Sequence, residues 1–213
     1  GLQSVPLSKV RVNDKFCNHY TQLVREVIIP YQRQVLNDEV PGVEPSHAFR
    51  NFRIAAGEEQ GEFYGEVFQD SDVAKWLEAV AYSLTTHRDP ELEQVADEII
   101  DLISRAQQPD GYLNTHFIPH KLDQRWSNLT EDHELYSAGH LIEAAVAYYQ
   151  ATGKTKLLDI VCRYADHIDS VFGTGPGKLK GYPGHEEVEL ALVKLYRVTK
   201  NERYLHLAKY FVD

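Results

Sequence analysis

Two cysteines, Cys17 and Cys162, are all that the 213-residue chain contains, and neither stands in a C-x-x-C spacing. That scarcity excludes a disulfide framework and a thiolate metal site within this segment, and both residues are expected to be buried thiols. No apolar run approaches the roughly 20 residues of a membrane span, and the start GLQSVPLSKV lacks the apolar block of a signal peptide, so no membrane partner and a cytoplasmic location are expected. Basic residues are few: 22 Lys and Arg stand against 32 Asp and Glu, a net charge of -10, and they are scattered. Nucleic acid, whose phosphates require a basic surface, is therefore not an expected partner. No stretch alternates apolar and polar residues as a strand does, which leaves an all-α fold.

Helical patterns fill most of the chain. Asp14 to about Asp38 reads as helix, with Pro30 inside it predicting a kink or break at Ile29. Glu39 to Gln69 carries too many glycines and prolines for one regular element, although Phe49 to Ala56 is compatible with a helical turn. Asp70-Ser71-Asp72 opens a helix whose stripe is Val73, Trp76, Leu77, Val80, Ala81 and Leu84. Asp89-Pro90-Glu91 starts the next, an aspartate cap followed by a proline where its missing N–H costs nothing. Pro109-Asp110-Gly111 ends it. A helix capped by Thr130 is expected through Gln150, another over Leu157 to Phe172, one from Gly184-His185-Glu186-Glu187, and a last from about Glu202.

A weak repeat organises the later helices. AYYQATGKTKLLDIVCRYAD, from Ala147, resembles KLYRVTKNERYLHLAKYFVD, from Lys194, so that Tyr149, Thr152, Leu158 and Asp166 recur as Tyr196, Thr199, Leu205 and Asp213. Short connections near His87–Asp89, Thr152–Lys154 and Thr199–Asn201 alternate with long ones near residues 40–69, 108–130 and 173–184. In a stack or ring of antiparallel helix pairs, alternate connections lie on opposite rims, which gathers the three long loops on one rim where function is expected. The sequence stops in mid-helix at Phe211-Val212-Asp213, and residues 1–213 are expected to be the N-terminal portion of one larger array.

On that rim stand Phe68-Gln69-Asp70, His133-Glu134 and His185-Glu186, with Tyr112, His116, Trp126 and Tyr182 in adjoining loops. Aromatic faces with His, Gln and carboxylates suit a carbohydrate, whose C–H face packs on a ring while its hydroxyls need donors and acceptors. Each has a plainer role available: His133 and His185 as capping or surface residues, Phe68 as core, Trp126 as the cover of an apolar edge. Asp70, Glu131, Glu134 and Glu186 offer carboxylates for glycoside hydrolysis without selecting a pair. Metal and triad readings have less support. His133 and His140 are about 10 Å apart along a helix, HELYSAGH misses the H-E-x-x-H spacing, Pro119 interrupts His116 and His120, and no G-x-S-x-G elbow occurs.

Four blocks, FQDSDVAKWLEAVAYSL, AQQPDGYLNT, HELYSAGHLIEAAVAYYQATG and GYPGHEEVELALVKLYRVTKNERYL, together resemble the N-terminal half of bacterial β-L-arabinofuranosidases of glycoside hydrolase family 127. The resemblance implies about three helix pairs of an (α/α)6 barrel. It implies a retaining glycoside hydrolase that releases L-arabinose from β-L-arabinofuranosides, small arabinose-containing oligosaccharides among them. The implied machinery is a cysteine thiolate nucleophile, a glutamate acid/base, and zinc held by three cysteines and a glutamate. No residue here matches that machinery, so the zinc ligands are expected beyond residue 213 and no catalytic residue is assigned. What carries over is substrate contact: Phe68 in F-Q-D-S-D, His133 in H-E-L-Y and His185 in G-H-E-E. A glutamine that the family places before the S-H-A segment has no clear counterpart near Pro45-Ser46-His47. Rival readings are an (α/α)-toroid lyase or sugar epimerase, and a non-enzymatic helical-repeat scaffold.

Overall fold

The computed structural model describes residues 5–213. Its architecture is all-α, and among the described residues extended pairing is limited to one isolated bridge between Phe172 and Leu179. The first helix, α1 (Lys15–Leu23), starts at Asp14, whose carboxylate accepts the Cys17 N–H at 2.8 Å. It does not break at Ile29. A π-helical turn over Val24–Ile28 leads directly into α2 (Ile29–Leu36), with the Ile29 N–H bonded to the carbonyl of Val24. Pro30 has no N–H, and its ring crowds the carbonyl four residues back; the wider turn just before it makes room, so the helix continues. Phe16, Tyr20, Val27 and Tyr31 along this helix are exposed, and Cys17 is exposed with them, contrary to its expected burial.

A short helix, α3 (Ala48–Ala55), buries Phe49 and Phe52, while the buried amide of Asn51 bonds both the N–H and the carbonyl of Tyr64 and closes the loop between them. Three antiparallel pairs follow: α4 (Asp70–Thr86) with α5 (Pro90–Ala106), α6 (Glu134–Thr152) with α7 (Lys156–Val171), and α8 (Val188–Thr199) with α9 (Glu202–Val212). They form two layers, α4, α6 and α8 side by side in one, α5, α7 and α9 in the other. The predicted α4 stripe, from Val73 to Leu84, is buried without exception. Helix α6 runs between both neighbours of its layer and is apolar nearly all round, Leu135 to Tyr148 being largely buried.

The repeat has a structural counterpart in the two short turns. Thr152 donates its hydroxyl to the carbonyl of Tyr148 and Thr199 does the same to Leu195, at 2.7 and 2.8 Å. Each helix then ends on a left-handed residue, Gly153 (φ 76°) and Lys200 (φ 60°), whose N–H bonds back to Tyr149 or Tyr196. The long connections emerge together at the opposite end.

Two helix starts differ from the sequence reading. Helix α6 begins at Glu134 rather than near Thr130, because His133 adopts a left-handed conformation (φ 54°) that no helix interior admits. The capping side chain in that region belongs to Asn128, which accepts the Glu131 N–H at 3.2 Å. Helix α8 begins at Val188, so His185 is a loop residue.

Candidate functional site

Phe68, His133 and His185 come from the three long connections and meet at one rim. The rings of Phe68 and His133 have centroids 5.4 Å apart, and His133 meets His185 edge to face at 4.8 Å. Phe68 and His133 are half-buried and His185 is exposed. Phe68 is thus a wall of the rim and not a core residue. Gln69 ties its segment to the stretch before α3 by donating to the hydroxyl and carbonyl of Ser46 at 3.0 and 3.3 Å.

Both imidazoles are oriented by main-chain carbonyls. His133 Nδ1 stands 2.5 Å from the carbonyl of Glu131, and His185 Nδ1 3.0 Å from that of Gly184. A carbonyl only accepts, so each Nδ1 carries the proton, and in the neutral ring each Nε2 keeps a free lone pair. The pair therefore presents two acceptors to whatever occupies the rim, which suits two hydroxyl donors.

Buried acids fix these segments from below. Asp70, two residues after Phe68, accepts the N–H of Thr115 at 2.8 Å and also its hydroxyl. Glu134, next to His133, accepts the Trp126 N–H at 2.7 Å and the hydroxyl of Tyr112. Burial pushes Asp70 up to about 6 and Glu134 up to about 7, against the hydrogen bonds each accepts. Their oxygens are occupied by protein donors, so Asp70 and Glu134 hold loops and are withdrawn as candidate hydrolytic carboxylates. Glu131 and Glu186 are exposed.

The other loop aromatics separate clearly. Tyr112 is wholly buried, and Trp126 lies against His167, Tyr112 and Phe172, covering an apolar edge. His116 packs between Phe63 and Phe117, and His120 bonds the Gly61 carbonyl at 3.0 Å. Tyr182 is exposed and stacks on Tyr210.

Two residues at the rim were missed in the sequence. Tyr136 touches His133, His140 and His185, and Lys75 donates to its hydroxyl at 3.0 Å. The tyrosine of H-E-L-Y follows His133 by three residues, the spacing that stacks two side chains on one helical face, and that signal was available.

A thiolate zinc centre does not fit the cysteines present. Cys17 is exposed on α1, and its thiol is pushed up by a hydrogen bond to Asp14; Cys162 on α7 is half-buried, and burial pushes its thiol up. Both remain protonated near neutrality, the wrong state for a ligand or a nucleophile.

Residues 9–213 match the model of the β-L-arabinofuranosidase GH127 catalytic domain. A non-reducing end β-L-arabinofuranosidase of Bifidobacterium longum is 44% identical over 223 residues, which takes in 96% of this chain and 33% of that protein. The crystal structure of a GH127 β-L-arabinofuranosidase from Geobacillus stearothermophilus T6 superposes with a TM-score of 0.95 at 63% identity, over 96% of this chain and 32% of that one. A second solved structure, a GH127 β-arabinofuranosidase, gives 0.90 at 38% identity, over 98% of this chain and 33% of its own. The chain belongs to glycoside hydrolase family 127, and its helix pairs are part of that family's (α/α)6 barrel. It spans about a third of the length of these relatives.

Proposed function

We propose that this chain is the sugar-recognising part of a β-L-arabinofuranosidase, a retaining enzyme that releases L-arabinose from short arabinose-containing oligosaccharides. The convergence of Phe68, His133 and His185 on one rim carries the reading. The face of Phe68 packs against sugar C–H groups, and the Nε2 atoms of the two histidines accept from ring hydroxyls. Among the described residues neither cysteine is suited to attack, and the bond-breaking cysteine, its zinc and the acid/base glutamate are assigned to the remainder of the family's domain. The cytoplasmic setting expected from the sequence is part of the proposal.

The test uses the polypeptide that carries this chain with the rest of the family's domain, assayed on a β-L-arabinofuranoside. His133→Ala and His185→Ala are each expected to raise KM by about tenfold or more, the equivalent of one lost hydrogen bond to a polar ligand, without moving the melting temperature. Unchanged KM in both variants would remove the rim from sugar binding. Turnover that survives a zinc chelator would remove zinc from the proposal.

A further inference from the structure

Beneath the rim, α6 and α8 meet at a buried ionic cluster. Glu143 on α6 leaves 9% of its side chain accessible, and Glu187, the residue just before α8, leaves 14%; His140 lies beside them. The donor atoms of His140, Glu143 and Glu187 are within 4.8 Å of one another. Lys194 Nζ pairs with Glu143 Oε1, whereas His140 Nδ1 and Glu187 Oε1 face each other at 3.5 Å without a hydrogen bond. The carboxyl groups of Glu143 and Glu187 thus lie close together with little of either side chain accessible. Two covered carboxyls this close are compatible only while one of them keeps its proton.

Glu187 is two residues beyond His185, and the backbone on both sides of the histidine is clamped. A Cβ added at Gly139 of α6 would stand 2.7 Å from Glu187 Cγ and 2.9 Å from the backbone nitrogen of Val188, so here α6 and the start of α8 touch with no room for a side chain. On the other side, Gly184 donates its N–H to the carbonyl of Leu129 at 3.1 Å and lies against the backbone of Thr130. His185 therefore hangs between the loop that leads to His133 and the cluster on α6.

We propose that the closely placed Glu143–Glu187 carboxyl pair, closed by Lys194 and flanked by His140, is a latch that holds the His185 segment against α6. Glu187 is then a positioning residue for sugar binding. The inference rests on the reading of His185 as a sugar contact.

The surrounding charges decide when the latch holds. Facing the cluster from α4 are Glu78, which accepts the Tyr82 hydroxyl at 2.9 Å, and Lys75, which acts on His140. Burial pushes Glu187 up to about 7, the contact with Glu143 and the charge of Glu78 add to this, and Lys194 opposes it. Burial also favours a proton on Glu143, but the neighbouring Glu187 carboxyl and the bond from Lys194 outweigh it and hold that carboxyl low. Burial pushes His140 down to about 4, so its imidazole is neutral and adds no positive charge. One proton and one ammonium balance two carboxyl groups. Above about pH 7 the proton leaves, two buried carboxylates face each other with one lysine between them, and the pair repels. A divalent cation in place of that proton is the rival occupant.

The test reads hydrogen-exchange protection of the Gly184 amide at pH 6 and pH 8, together with KM at both. In the unmodified protein, protection is expected to fall by about tenfold and KM to rise between the two pH values. Glu187→Gln, neutral at every pH, should flatten both changes. Glu187→Ala should lower protection at both pH values and raise KM more than it lowers kcat. Equal loss of protection in the unmodified protein and Glu187→Gln, or full protection in Glu187→Ala, overturns the latch. So does a rise in melting temperature on adding zinc, manganese or calcium that Glu187→Gln abolishes, which would make the cluster a cation site. If protection follows the latch while His185→Ala leaves KM unchanged, the sugar reading falls and the latch stands; the reverse pattern removes the latch alone.

Discussion

Trp126 gives its backbone N–H to the carboxylate of Glu134 at 2.7 Å, wholly inside the protein and one residue from His133. The second oxygen of Glu134 takes the hydroxyl of Tyr112, so one buried acid joins both ends of the long connection between α5 and α6 to the residue that opens α6. Two rim residues each precede such an acid by one or two positions, Phe68 before Asp70 and His133 before Glu134, and His185 stands two positions before the largely covered Glu187. The exposed face of each segment is free to meet a ligand because its next turn is anchored in the interior.

Glu134 should make stability depend on pH in an unusual direction. Its carboxyl is raised in the folded state from an ordinary 4.5 to about 7, so the folded protein binds the proton more tightly than the unfolded chain. The contribution is complete below about pH 4.5 and is lost as pH rises through 7, on the order of 3 kcal/mol in all. Asp70 acts in the same sense over a lower window, from 3.8 to about 6. Urea unfolding of Glu134→Gln at pH 5 and pH 8 should show a smaller loss of stability across that interval than the unmodified protein. An equal loss would mean that Glu134 is ionised at no cost. Glu134→Ala leaves the Trp126 N–H and the Tyr112 hydroxyl without an acceptor and should cost about 2–5 kcal/mol at either pH.

Trp126 is expected to matter for stability and not for binding. Its indole is packed against Tyr112, His167 and Phe172, and its side chain is nearly fully covered. Trp126→Ala should therefore destabilise by about 3–5 kcal/mol, the range for deleting a large buried aromatic. Chemical denaturation measures it directly. A raised KM with unfolding changed by less than about 1 kcal/mol would return the indole to the role of a ligand platform.

The helical frame was legible because it is written in periodic apolar residues and local caps. The stripe from Val73 to Leu84 and the cap at Asp89 need no partner to be recognised. Phe68, His133 and His185 could be placed on one rim because loop length alternates around a row of helix pairs. Features set by distant partners were hidden. An acidic run such as Glu131-Asp132-His133-Glu134 reads as a solvated helix start, yet Glu134 turns inward to donors from a loop that the sequence leaves shapeless. The latch at Glu143 and Glu187 joins two helices, and its only local sign was a glutamate set among Ile142, Ala144 and Ala145. Pro30 misled for the opposite reason: the usual penalty was anticipated, but not the π-helical turn that relieves it.

Lys200 should be improvable. It occupies in the α8–α9 turn the left-handed position that Gly153 holds in the α6–α7 turn, and an L side chain in that conformation costs about 1 kcal/mol or more. Lys200→Gly should raise stability by about 1 kcal/mol, seen as roughly 2–4 °C in melting temperature. Gly153→Ala should lower it by a similar amount, for a Cβ there meets no atom within 4 Å and backbone strain is the only penalty. A Lys200→Gly protein that melts lower would show that the lysine side chain contributes more than its strained backbone costs.

The two cysteines supply the sharpest test of where the chemistry lies. A family whose expected nucleophile is a thiolate leaves Cys17 and Cys162 as the only candidates within residues 1–213. Neither is suited to the task. Cys17 is exposed beside the capping carboxylate of Asp14, whose hydrogen bond and charge favour the protonated thiol. Cys162 is half-buried on α7 in contact with Tyr204, where burial and the nearby Asp166 and Asp159 do the same. A nucleophile needs the reverse, a neighbouring positive charge or metal that stabilises the thiolate. The Cys17→Ser/Cys162→Ser double variant of the polypeptide that carries the rest of the domain should therefore keep kcat/KM on a β-L-arabinofuranoside within about twofold. Loss of roughly a thousandfold or more in that variant, with its melting temperature unchanged, would place the attacking thiol in this chain.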